Sequence, residues 1–183
     1  MIELKVRYEY FPFYIRMEDQ KIVVFGAGTI AARRVGKLLG TKAQITVIAP
    51  KLCDEMKHLL AQHPDRLQYM EDRYRPGCLG AENMDFVFAL TDDPAVNAAI
   101  VRECRHRELL VNNASDHRMC DFYFPATIEA GELLIAIAST RSGDGTHVKT
   151  KELREKLEEM LTSGKLACLP KQECQDVSEE NRM

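Results

Sequence analysis

Between Lys21 and Pro50 the chain reads strand, glycine turn, helix, glycine stop and strand, an order that leaves little freedom in the choice of fold. Lys21-Ile22-Val23-Val24-Phe25 is a short apolar run rich in β-branched residues, as expected of a strand buried on both faces of a parallel sheet. Gly26-Ala27-Gly28-Thr29-Ile30-Ala31 then follows the pattern G-x-G-x-x-A. Gly26 permits a tight turn, Gly28 keeps the helix N-terminus open to a pyrophosphate, and Ala31 lets the helix lie close to the sheet. Ile30, Ala31, Val35, Leu38 and Leu39 recur at helical spacing up to a stop at Gly40, and residues 44–49 (QITVIA) form the next strand. With the four parts in register, this is a βαβ unit that accepts a nicotinamide dinucleotide.

The alternation continues beyond Pro50. Residues 52–61 read as a helix, 67–70 as an extended run, and 85–90 (DFVFAL) as a buried strand. Asp93 caps the next helix with Pro94 at its first position and Val96, Ile100, Val101 and Cys104 on one face, and residues 109–112 make a fifth strand. Strands alternating with helices imply a parallel sheet with helices on both faces, so the fold class is α/β, a Rossmann-type sheet. After residue 113 the rhythm changes. FYFPATIEAGELLIAIAST reads as two extended runs around Glu129-Ala130-Gly131-Glu132, and residues 148–161 as an amphipathic helix with Glu152 and Lys156 paired at i,i+4. A hairpin and one helix make a thin core, which predicts packing against a twin chain. The expected division is a dinucleotide-binding domain at 1–113, a small α+β dimerisation and substrate segment at 114–164, and a flexible tail at 165–183.

Of the 183 residues, 45% are hydrophobic and 29% charged, and no apolar run approaches the roughly 18 to 20 residues that cross a bilayer, so no membrane role is expected. The start lacks a basic stretch followed by an apolar core, which predicts a cytoplasmic protein. A net charge of −3 argues against general nucleic-acid binding. Cys53, Cys78, Cys104, Cys120, Cys168 and Cys174 show no C-x-x-C spacing, so neither a metal site nor a disulfide framework is expected.

One feature of the common dinucleotide pattern is missing. About 20 residues past the turn an acidic residue usually holds the adenosine ribose, but Ala49, Pro50 and Lys51 stand there. Backbone around Pro50 and Lys51 would have to hold the ribose. Lys51 also tolerates a 2′-phosphate, which leaves NAD against NADP open.

The segments YFPFYIRMEDQKIVVFGAGTIAARRVGKLL, TVIAP, FALTDDPAVN, LLVNNASDHRMCDFYFPATIEAGELLIAIAST and LREKLE, in that order, resemble the siroheme synthase N-terminal family, the precorrin-2 dehydrogenases. The resemblance runs from about residue 10 to 161. It implies a homodimer that oxidises precorrin-2 to sirohydrochlorin with NAD, some members also inserting iron. For the cofactor it implies Thr29 and Ile30 at the helix start and Pro50 and Lys51 after the second strand. Thr91 and Asp92, at the carboxyl end of the fourth strand, line the same crevice.

The family pattern V-N-x-x-D ends in its acid–base aspartate. Here the matching run is Val111-Asn112-Asn113-Ala114-Ser115, so serine takes that position and Asp116 follows. The chemistry joins hydride departure to C4 of the nicotinamide with proton loss from the macrocycle, for which a carboxylate is suited. Asp116 and Ser115 are therefore the catalytic candidates. A substrate carrying many acetates and propionates calls for cations. Arg118 and Arg141 are the candidates, with Ser139 at the serine of the family's I-A-[IV]-S-[ST] stretch. Lys149, Lys151 and Arg154 are read as the wet face of the last helix. His117 and His147 have no partner at metal-ligand spacing.

Overall fold

The computed structural model describes residues 10–79, 84–139 and 146–163. Within it, strands β1 (Lys21–Phe25), β2 (Gln44–Ile48), β3 (Leu67–Met70), β4 (Phe86–Ala89) and β5 (Leu110–Asn113) form one parallel sheet in the order β3-β2-β1-β4-β5. Helices α1 (Thr29–Leu39), α2 (Asp54–Gln62) and α3 (Pro94–His106) connect them. The strand order reverses direction between β1 and β4. Open α/β sheets place ligands at such a switch point, outside the carboxyl ends of the strands.

Period-two alternation divides the core. Val23 and Phe25 of β1, Val87 and Ala89 of β4 and Val111 of β5 pack with Ile100, Val101 and Cys104 of α3. The opposite face carries Ile22, Val24, Phe86 and Phe88, all buried, and Arg34 of α1 reaches across it to donate a hydrogen bond to Asn112. Asp93 caps α3 as the sequence predicts, its Oδ1 accepting from the N–H of Ala95 at 2.8 Å.

Two element boundaries shift for local reasons. The N–H of Cys53 donates to the carbonyl of Ala27 at 3.0 Å, which ties residues 52–53 to the glycine turn and starts α2 at Asp54. The N–H of Leu109 donates to the Cys104 carbonyl at 2.9 Å after a left-handed Glu108 (φ 58°), so Leu109 closes α3 and β5 begins at Leu110.

The compact unit built on the sheet comprises residues 12–123, ten residues past the boundary expected at 113. The extra segment holds to β5. The Asp121 N–H donates to the Val111 carbonyl at 2.9 Å, and the Asp121 carboxylate accepts the Val111 N–H at 2.9 Å. Cys120 Sγ accepts from the Asn113 N–H at 3.1 Å. Phe122 meets Phe86 and Phe88 edge-on, with ring centroids 5.5 and 5.3 Å apart. The segment thereby occupies hydrogen-bonding groups that an edge strand would leave open.

The second unit contains β6 (Ala126–Ala130) and β7 (Leu133–Ile137), an antiparallel hairpin turning at Gly131 (φ 58°), and helix α4 (Thr146–Thr162), which packs on β6. Tyr10 and Phe11 group with it. Ile128 is buried, whereas Leu133, Val148 and Leu153 are 52%, 53% and 46% exposed, so the unit leaves much of its apolar surface uncovered. Among the described residues the ion pairs along α4 are Lys151–Glu155, Arg154–Glu155 and Arg154–Glu158, not the anticipated Glu152–Lys156. The expected tail at 165–183, the loop holding Arg141, Cys168, Cys174 and the side chain of His147 lie outside the described residues. Among the described residues Cys53, Cys78, Cys104 and Cys120 are free thiols, and no helix is long and apolar enough to cross a membrane.

If the segment after β5 is part of the sheet domain, Phe122→Ala should destabilise that domain by about 2 kcal/mol. Urea unfolding followed by circular dichroism measures this, and an unchanged midpoint would contradict the packing role.

Candidate functional site

A crevice of about 940 Å³ opens at the carboxyl ends of β1, β2 and β4. Gly26, Gly28, Thr29 and Ile30 form one wall, Pro50 and Lys51 another, and Thr91 and Asp92 a third. All eight cofactor candidates named from the sequence thus border one space. Asp72, Arg73 and Tyr74, from the loop after β3, border it too and were not anticipated.

The two glycines of the turn do different work. A Cβ on Gly26 would stand 2.4 Å from the Leu90 carbonyl oxygen, and its φ of +104° is one that side-chain-bearing residues rarely adopt. Gly26 is therefore required for the turn to pass under the end of β4. A Cβ on Gly28 would meet nothing within 4 Å. Its missing side chain leaves open space in front of α1, where the first N–H groups have no carbonyl one turn behind them. Among the described residues no side chain caps this helix and no acid occupies its first turn, so nothing competes with an incoming anion. These residues fit the pyrophosphate of a dinucleotide.

Glu103 of α3 holds the unanticipated wall. Its carboxylate accepts from the Tyr74 hydroxyl at 2.7 Å, the Gly77 N–H at 3.0 Å and the Leu79 N–H at 3.2 Å. Burial pushes this carboxyl up, but those hydrogen bonds outweigh burial and leave it below the usual range. Tyr74 also meets Phe25 edge-on, with centroids 5.5 Å apart, and burial followed by Glu103 raises its phenol.

The catalytic candidates follow β5. Asn97, wholly buried on α3, connects them to the crevice. Its Oδ1 accepts from the Thr91 N–H at 3.0 Å, and its Nδ2 donates to the Thr91 carbonyl at 3.0 Å. Those two backbone partners allow only one amide orientation. The same Nδ2 donates to Ser115 Oγ at 2.6 Å, so Ser115 is an acceptor toward Asn97 and its own proton remains available to a ligand. Ser115 lies two hydrogen bonds from Thr91 on the crevice wall. Nothing in the sequence singled out Asn97 except its polarity at the core spacing of Ile100, Val101 and Cys104.

Asp116 and Arg118, separate candidates in the sequence, are bound to each other. Arg118 Nε and a terminal nitrogen donate to the two Asp116 oxygens at 3.0 and 2.9 Å, and the Arg118 N–H donates at 3.0 Å. The Arg118 side chain, then its N–H, hold the Asp116 carboxyl below the usual carboxylate range. His117 stands between them, exposed, its carbonyl accepting from the Tyr123 hydroxyl at 2.9 Å. Ser139 is half-buried two residues beyond β7, in the second unit. Among the described residues no three His, Cys, Asp or Glu side chains cluster as metal ligands.

A parallel sheet of this order, a glycine turn opening a helix at the switch point and an uncapped helix N-terminus define a Rossmann-type nucleotide-binding protein. The family model described as "Putative NAD(P)-binding" matches residues 13–126, and the chain belongs to that family. It resembles the N-terminal part of siroheme synthases. The Chromobacterium violaceum enzyme is 31% identical over 156 residues, covering 85% of this chain and 32% of the relative. That of Mannheimia succiniciproducens is 32% identical over 182 residues, covering 94% and 37%. The chain spans about a third of the length of these relatives. Among solved structures, a precorrin-2 dehydrogenase superposes with a TM-score of 0.68 at 27% identity, over 82% of this chain and 70% of the other.

Two pairs of substitutions separate fold from site. Gly26→Ala should destabilise the domain by several kcal/mol, on the order of 3, whereas Gly28→Ala should leave the melting temperature nearly unchanged and weaken NADH binding on the order of tenfold. Thermal melts with NADH fluorescence titration check both. Asn97→Ala, which strips two backbone partners from Thr91, should cost about 2 to 3 kcal/mol in denaturant unfolding. Ser115→Ala, which takes one acceptor from the buried Asn97 amide, should cost less, about 1 kcal/mol.

Proposed function

We propose that the protein is a precorrin-2 dehydrogenase that uses NAD to form sirohydrochlorin in the route to siroheme. The observation that carries this reading is the position of Ser115. It occupies the place of the family's acid–base aspartate and is hydrogen-bonded through Asn97 to Thr91, on the wall of a crevice that fits a dinucleotide. The likeness in sequence and fold to a precorrin-2 dehydrogenase supports the choice of substrate.

A bound nicotinamide supplies the hydride acceptor. The chain's own residues orient the partners and handle the proton. The glycine turn and the start of α1 hold the pyrophosphate, and Thr91 and Asp92 bound the crevice at the end of β4. Ser115 offers its hydroxyl proton to an oxygen of the cofactor or the macrocycle. Asp116, next to Ser115 in the sequence, is the carboxylate read as taking the departing proton, and Arg118 holds it below the usual carboxylate range. Arg118 is the cation for the substrate's carboxylates in this reading, with Ser139 and Arg141 as further candidates from the sequence. A homodimer formed through the second unit is supported by its exposed Leu133, Val148 and Leu153. The cytoplasm is its proposed location. Iron insertion into the product is a separable activity, read from cobalt or iron incorporation into sirohydrochlorin.

The Asp116–Arg118 pair also favours a second reading, a dinucleotide-binding redox sensor without catalysis, because a carboxylate so stabilised is a weak base. Anaerobic incubation of the full chain with precorrin-2 and NAD, following sirohydrochlorin absorbance, separates the two. Turnover supports the dehydrogenase; NADH binding without turnover supports the sensor.

The pH dependence tests the base. A carboxyl held low by a cation stays deprotonated until the pH falls through its depressed folded value, so the acid limb of kcat/KM should lie below the ordinary aspartate value of about 3.9. Arg118→Gln removes the cation and should move that limb upward. A limb that stays in place in this variant excludes Asp116 as the proton acceptor.

A further inference from the structure

In the sheet β1, β4 and β5 are successive neighbours on one side of the switch point, and β2 lies on the other. A dinucleotide laid across such a point puts its pyrophosphate at the start of α1 and its adenosine half beyond β2. Its nicotinamide half then extends over the ends of β4 and β5. Ser115 stands there. It lies two residues past β5, and the N–H of the preceding Ala114 donates to the carbonyl of Ala89, the last residue of β4, at 3.0 Å.

Two buried asparagines fix this serine. The Ser115 N–H donates to Asn113 Oδ1 at 2.8 Å. Asn113 is held in turn by Cys120, whose Sγ accepts from its N–H at 3.1 Å and donates to its carbonyl at 3.2 Å. Asn97 fixes the hydroxyl. Its Oδ1 accepts from the Thr91 N–H at 3.0 Å and the Thr91 hydroxyl at 2.7 Å. Its Nδ2 gives one hydrogen to the Thr91 carbonyl at 3.0 Å and the other to Ser115 Oγ at 2.6 Å. Both amide hydrogens and both carbonyl lone pairs are thereby engaged, so Asn97 cannot accept from Ser115. One nitrogen bridges the serine hydroxyl and a backbone group of the crevice wall, and the exposed serine keeps its own proton for a partner.

That donor is neutral. Arg118, the cation closest in sequence, is turned onto Asp116, and Asp92 borders the crevice beside Thr91. A neutral acceptor oxygen suits such a place better than a substrate carboxylate, which calls for a free cation. We propose that Ser115, so held, donates to the carboxamide oxygen of the nicotinamide. This deepens the proposed function and rests on its dinucleotide-binding reading. The bond fixes the rotation of the ring about its link to the ribose, and with it the face of C4 that is turned to the hydride donor.

The test is fluorescence titration of the full chain with NADH, together with displacement of bound NADH by ADP-ribose, which has the pyrophosphate and the adenosine but no nicotinamide. In Ser115→Ala the affinity for NADH should fall on the order of tenfold, whereas that for ADP-ribose should stay within about twofold. Ser115→Thr, which keeps the hydroxyl, should retain the NADH affinity of the unaltered protein. An NADH affinity unmoved by Ser115→Ala, or an equal loss for both ligands, would overturn the proposal while leaving the dinucleotide reading intact. Binding of neither ligand to the unaltered protein would overturn the proposal and the dinucleotide reading together.

Discussion

The approach of Gly26 to the carbonyl of Leu90 is the contact on which the site depends. A Cβ at that position would lie within 2.4 Å of the carbonyl oxygen, so the backbone after β1 passes under the end of β4 only because residue 26 has no side chain. This close passage lets α1 begin at the switch point of the sheet and leaves its first N–H groups facing the crevice. The neighbouring loops are tied to the same turn: the Gly26 N–H donates to the Ile48 carbonyl at 2.9 Å, and the Cys53 N–H to the Ala27 carbonyl at 3.0 Å. One tight turn thus fixes the position of three strand ends.

A second set of constraints comes from polar side chains buried in α3. Asn97 satisfies both backbone groups of Thr91 and holds Ser115, joining the ends of β4 and β5, while Glu103 gathers the loop after β3 through three donors. Such groups are costly to bury unless every partner is present. The helix that closes the β4–β5 crossover therefore also sets the shape of two crevice walls. Packing and site construction are both done by the same thirteen-residue element.

The pairing of Asp116 with Arg118 changes the meaning of both residues. Taken singly, one is a base and the other a receptor for carboxylates. Bound together, they neutralise one another at the surface, and Ser115 becomes the polar group on the path to the crevice. The serine does not replace the carboxylate chemically. It is held as a donor, which suits orienting a partner rather than removing a proton.

Local pattern carried much of this protein. The apolar run at Lys21–Phe25, the helical spacing that follows and the G-x-G-x-x-A turn identified β1, α1 and the cofactor crevice, because periodicity and glycine conformation act over a few residues. The Asp93 cap, the hairpin about Gly131 and α4 were legible for the same reason. Contacts between distant parts of the chain were not. That residues 114–123 belong with the sheet follows from Asp121 meeting Val111 and Phe122 meeting two phenylalanines of β4. That Asn97 serves the site follows from strand ends arriving on either side of it. The sequence by itself determined the βαβ unit and its glycine turn. Tertiary structure decided which polar groups face each other across the crevice, because that depends on strand register and helix packing, and no short window of sequence records either.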